Sequence, residues 1–188
     1  MEFPFNERKA AQMAARMLSA AGGKLDVIVL IKLMYLADRR ALTDRGFPIT
    51  GASMASLPNG PVLSEVLDHI NGEVHGSTEW PQFVSRRTGH SVWALEEAAD
   101  NTDQLSRYEL QAIDETFQEI VERFTRAGEI QKWKLRDWTH ELPEWENPGG
   151  SSRAIVPETI LRAEGRSDDE IAALADDAEN YMFTSRWA

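Results

Sequence analysis

Cysteine is absent from this sequence, and with it go disulfides, zinc–thiolate sites and cysteine nucleophiles; the absence agrees with a reducing compartment. Long apolar runs are absent too. None exceeds five residues, and the run 27–31 is bracketed by Asp26 and Lys32, far short of the roughly 20 apolar residues a membrane helix needs. The start does not read as a signal peptide, since Glu2, Glu7, Arg8 and Lys9 precede only a weak Ala/Met pattern. Positive charge is scarce: 20 basic residues face 31 acidic ones, a formal net charge of -11. Such a surface repels duplex DNA unless basic groups gather locally, and it serves either a basic partner or solubility alone. The expectation is a soluble cytoplasmic protein without membrane contact, for which direct nucleic-acid binding is disfavoured.

Familiar catalytic patterns are missing as well. There is no P-loop, no Gly-rich dinucleotide turn, no Gly-x-Ser-x-Gly elbow and no His-Glu-x-x-His, because His140-Glu141 lacks a second His four positions on. His69, His75 and His90 fall on a helix end, in a loop and in a hairpin turn, where they read as surface residues; no metal or cofactor is expected. Asp38, Asp137, His140 and Glu141 are the residue types of an acid–base set, but capping and surface ion pairs account for them without chemistry. A non-enzyme is therefore expected. The alternatives are a hydrolase-like enzyme using Asp38 and His140 on a small molecule, and a DNA-binding autoregulator. Against the latter, the second predicted helix carries Arg39, Arg40 and Arg45 only at its far end, and its first half is too apolar to lie in a groove.

What is present is an ordinary globular composition, 42% apolar over 188 residues, enough for one core. The whole chain, 1–188, reads as a single domain, with 148–188 allowed as a looser helical extension. Phe5-Asn6 precedes Ala10, Met13, Ala14, Met17 and Leu18 at helical spacing, and Gly22-Gly23 ends that helix. A second helix runs from about Leu25 or Asp26 to Thr43. It is apolar nearly all round, the mark of a buried central element, and turns polar at Asp38, Arg39, Arg40 and Asp44. Gly46, Pro48 and Gly51 then force an extended exit, and a short strand over 53–57 follows. Asn59-Gly60-Pro61 predicts a turn with Pro61 at the first position of a third helix, whose buried face is Val62, Leu63, Val66, Leu67 and Ile70.

Further on, residues 83–95 read as a hairpin and 96–104 as an exposed acidic connection. Ser106 and Glu109 form a capping box for a helix reaching towards Gly128, and a helix over about 130–140 carries Trp133 and Trp138. Residues 148–152 read as a flexible connector, residues 155–157 lead into a short helix, and Ser167 with Glu170 opens a last one with an acidic outer face. The class expected is mainly α (α+β): a compact helical domain with a small antiparallel sheet or hairpin packed on the helices.

Lys32-Leu33-Met34-Tyr35-Leu36-Ala37-Asp38, then Phe47-Pro48-Ile49-Thr50-Gly51, then Gly60-Pro61 with Ser64-Glu65-Val66, resembles the Panacea domain of SocA-like antitoxins. Trp138-Thr139-His140-Glu141-Leu142-Pro143-Glu144-Trp145 is similar to that family's second signature. Asn59 stands where the family often has an aromatic residue. The resemblance implies a mainly helical domain that neutralises a cognate toxin by direct contact, with a role as adaptor handing the toxin to an ATP-dependent protease such as ClpXP. The partner-binding or signature cluster that the resemblance implies comprises Tyr35, Asp38, Gly60, Pro61, His140 and Trp145. Tyr35 and Asp38 lie three apart, close enough to share a helix face, and His140 with Trp145 flanks the Pro143 break and is expected to pack back on that helix end.

Overall fold

The computed structural model describes residues 1–95 and 100–185, the last five of them by backbone alone. Asn6 caps α1 (Glu7–Ala20) by accepting from the Lys9 amide at 2.9 Å. Ala10, Met13, Ala14, Met17 and Leu18 are wholly buried, so small residues let α1 lie close against its neighbours. After β1 (Lys24–Asp26), Asp26 caps α2 (Val27–Arg45) through the Ile28 amide. Leu30, Leu33, Met34, Tyr35, Ala37 and Leu42 are inaccessible on every side of α2. It ends at Gly46, whose left-handed φ of 82° lets its N–H reach the Leu42 carbonyl at 2.8 Å.

The exit from α2 leads into β2 (Met54–Leu57), β3 (Gly60–Leu63) and α3 (Ser64–Asn71). Pro61 is thus in a strand and not at a helix start, a correction to the sequence reading. It pairs with Ser56, and the helix begins only at Ser64. An edge strand tolerates a proline because one row of its backbone groups needs no ladder partner. The predicted hairpin over 83–95 is also rearranged. Residues 80–83 form a helical turn, α4 (Trp80–Phe83), and β4 (Ser91–Trp93) pairs with β1, Lys24 opposite Trp93 and Asp26 opposite Ser91. Within the hairpin only the bridges Val84–Ala94 and Thr88–Ser91 form among the described residues. His69, expected on the surface, is buried and stacks on Trp80 with centroids 5.4 Å apart. The predicted acidic connection lies partly outside the described residues; in its described part Asp103 binds Arg8 and Gln12.

The capping box of Ser106 and Glu109 opens α5 (Arg107–Phe124), which stops short of Gly128 because β5 (Thr125–Arg126) and β6 (Glu129–Ile130) turn the chain back. Then come α6 (Lys132–Thr139), a turn through Pro143, β7 (Arg153–Ile155), α7 (Pro157–Ala163) and α8 (Asp168–Ser185). Strand β7 joins β2 on the side away from β3, giving the order β3-β2-β7 with all pairs antiparallel. Ser167 and Glu170 cap α8 reciprocally, as the sequence suggests. Helix α2 touches α1, α5, α6, α7 and β3. The molecule is mainly α with small antiparallel sheets, as expected, and α2 is its axle.

Candidate functional site

Lys32, on the middle of α2, is 1% exposed, and its Nζ donates to the Pro61 carbonyl at 2.7 Å. A lysine is buried there because the tip of the β2–β3 hairpin folds down on it. Gly60 makes that approach possible: its φ is +93°, and a Cβ would lie 2.8 Å from Thr139 Oγ1 and 2.9 Å from Lys32 Nζ. From the other side, the end of α6 closes over the tip. The His140 ring stacks on Trp145, centroids 4.1 Å apart and planes 13° from parallel, and Trp145 Nε1 donates to the Leu57 carbonyl at 3.2 Å. The Glu146 amide donates to Ser56 Oγ at 3.2 Å. Hairpin, α2 and the α6 terminus are held as one unit.

The electrostatics of this spot favour neutral bases. Desolvation first, and the Arg136 charge second, bring the Lys32 pKa down to about 7. His140 is also shifted below its ordinary value, by desolvation and by the charges of Lys32 and Arg136. Its Nε2 is buried and finds no hydrogen-bond partner among the described residues.

One helical turn along α2, Tyr35 donates its hydroxyl to Glu144 Oε1 at 2.7 Å. Arg39 Nε reaches the same oxygen at 2.7 Å, and its Nη2 reaches Glu164 at 2.7 Å. The Glu144 side chain is completely covered. Burial, then the Glu144 charge, pushes the Tyr35 hydroxyl pKa well up, so it stays a donor. Asp38 serves a different task. It is fully buried and accepts from the Ile49 and Thr50 amides, each at 3.0 Å, and from the Thr50 hydroxyl. Burial raises its pKa to about 7 while those three donors pull it down. The Asn6 amide in turn reaches the Thr50 carbonyl at 2.8 Å, fixing the start of α1 to the same loop.

The six signature residues therefore fall into three settings. Gly60, Pro61, His140 and Trp145 gather over Lys32; Tyr35 belongs to the Glu144 and Arg39 cluster; Asp38 organises the loop after α2. The expected docking of His140 and Trp145 on the polar end of α2 is replaced by docking on the hairpin tip, and Glu144, between them in sequence, is what reaches Tyr35 and Arg39. Asp137 is exposed and bonded to Arg136, and Glu141 is exposed, so the four-residue acid–base set is not assembled. Lys32, Arg39 and Glu144 were named in the sequence reading but not among its site residues. The available signals were a lysine in an otherwise apolar run and a carboxylate between Pro143 and Trp145, both of which have to be paired or neutralised.

Among the described residues no group of three or more His, Asp or Glu is placed to hold a metal, and no helix is long and apolar enough to cross a membrane. Fold and site together define a helical domain whose buried polar residues bind a strand hairpin and a later turn to one central helix. The chain belongs to the family described as antitoxin SocA-like, Panacea domain, whose model matches residues 30–146, more than half its length. No curated protein and no solved structure matches it. The matched segment contains all six signature residues as well as Lys32, Arg39 and Glu144.

Proposed function

We propose that this chain is the antitoxin of a toxin–antitoxin pair, neutralising a cognate protein toxin by direct binding in the cytoplasm and delivering it to an ATP-dependent protease such as ClpXP. Membership of the SocA-like antitoxin family carries this reading. Burial adds support: Lys32, Tyr35 and Asp38, each shifted towards its neutral form, are 1%, 0% and 0% exposed, which suits holding a shape and not meeting a substrate. A reaction through Asp38 and His140 draws no support from their placement, because Asp38 is saturated by the Ile49–Thr50 backbone and hydroxyl while His140 faces Trp145. The net charge of -11 disfavours an autoregulator bound to duplex DNA.

The test is to express the adjacent open reading frame with and without this chain. Growth arrest by the neighbour alone, rescue by this chain and copurification of the two are expected. Absence of both rescue and copurification overturns the proposal.

A further inference from the structure

We infer that the groove between β1, α5 and α6 is the toxin-binding face, and that it takes an acidic segment of the partner carrying a bulky apolar side chain. The inference rests on the antitoxin reading and specifies where and by what chemistry the contact is made. The groove encloses about 880 Å³ beside the β5–β6 turn. Leu25, Val29, Phe117, Val121 and Ile130 contribute its apolar walls. A space of this size is within the range of ligand-binding clefts, about 300–1,000 Å³.

Two features of its rim point to an acidic partner. Trp133 lines the groove and is 50% exposed, with Lys132 Nζ 5.1 Å and the Arg136 guanidinium 4.8 Å from its ring centroid. An indole held in one orientation by flanking cations costs little entropy to bury and is the residue type that dominates interfaces. The second feature is charge. Lys24, Lys132 and Lys134 line the groove against Asp26 and Glu129, a local excess of positive charge in a chain whose net charge is -11. Lys132 is partly neutralised by Asp26 at 2.7 Å. Lys24 lies over Trp93, and among the described residues neither Lys24 nor Lys134 forms an ion pair. Unpaired ammonium groups beside an apolar floor favour carboxylates next to a hydrophobic anchor.

A nucleic-acid strand suits the groove less well. The walls are largely apolar, and Trp133 offers one stacking surface where a strand uses several.

The experiment titrates the purified product of the adjacent open reading frame into wild-type chain and into Trp133→Ala, Lys134→Glu and Asp177→Lys variants, by calorimetry at low and raised ionic strength. Trp133 and Lys134 are exposed, and unchanged melting temperatures confirm intact folds. The expected result is a loss of affinity of about tenfold or more for Trp133→Ala and Lys134→Glu, no loss for Asp177→Lys on α8, and weaker wild-type binding in salt. Wild-type binding with groove variants unaffected overturns this inference and leaves the antitoxin reading standing. No binding or rescue by wild type overturns that reading, and the inference with it. Binding of a uridine oligonucleotide abolished by Lys134→Glu, or self-association in light scattering abolished by the same change, assigns the groove to another occupant and also overturns it.

Discussion

A methyl group on Gly60 would meet Thr139 Oγ1 at 2.8 Å, Lys32 Nζ at 2.9 Å and His140 Cδ2 at 3.2 Å, on a backbone with φ +93°. Two of these atoms belong to buried side chains whose hydrogen bonds, to the Pro61 and Arg136 carbonyls, a shift would disturb. Gly60→Ala is therefore expected to cost about 2–4 kcal/mol from backbone strain and displacement of the α6 terminus. Thermal unfolding checks it, each kcal/mol lowering Tm by about 2–4 °C in a chain of this size; an unchanged Tm shows the hairpin tip is looser than the contacts imply. Lys32 makes a pH prediction. Its folded pKa, about 7, lies below its ordinary value of 10.5, so between these values the unfolded chain binds a proton that the folded chain does not. Stability rises with pH in that window, at a slope approaching about 1.4 kcal/mol per pH unit. Urea unfolding from pH 7 to 9 is expected to show the rise and Lys32→Met to remove it; an equal slope in both proteins means that Lys32 is charged in its buried seat. Neither residue's role was visible in sequence, because glycine and lysine reveal nothing of which distant segment comes to lie on them.

Elements with local signals were legible and elements made by distant pairing were not. Asn6, Asp26, Ser106 and Ser167 each accept from a backbone amide two or three residues on, and such caps announce a helix start from a few adjacent letters. Strand β4, by contrast, finds its partner in β1 some seventy positions earlier, and β7 finds β2 about a hundred positions earlier. Strands of three or four residues carry too little alternation to be read, which is why β7 (Arg153–Ile155) was not foreseen between the connector and the short helix and why Pro61 passed for a helix start. The turn after α6 shows what such distant contacts are worth. Glu144 is shared by Tyr35 and Arg39 across more than a hundred residues. Glu144→Ala leaves a buried hydroxyl without its acceptor and strips Arg39 of its covered partner, while Glu164 remains to it. The expected loss is about 3 kcal/mol in chemical denaturation. Glu144→Gln should lose less, since its carbonyl still accepts from Tyr35; equal losses would assign the effect to charge alone.

At the scale of the molecule, an adaptor has to survive the act of delivery. An ATP-driven protease engages accessible chain and unfolds it, so a delivering protein must be harder to start than its cargo. The elements after the family segment are tied down in this respect: β7 is paired into the sheet, Ile160 and Leu161 are wholly buried, Arg166 donates to the Thr43 carbonyl at 3.1 Å, and Leu174 packs where a Gly46 side chain would be. The adaptor version predicts unequal fates. In protease-competent cells, with synthesis blocked, the toxin should disappear several-fold faster when this chain is present, while the chain itself holds its level; in cells lacking the protease the difference should vanish. A toxin half-life unchanged by the chain makes it a simple inhibitor. Parallel decay of the two makes it a co-substrate, and then Gly60→Ala, by loosening the fold, should hasten the loss of both.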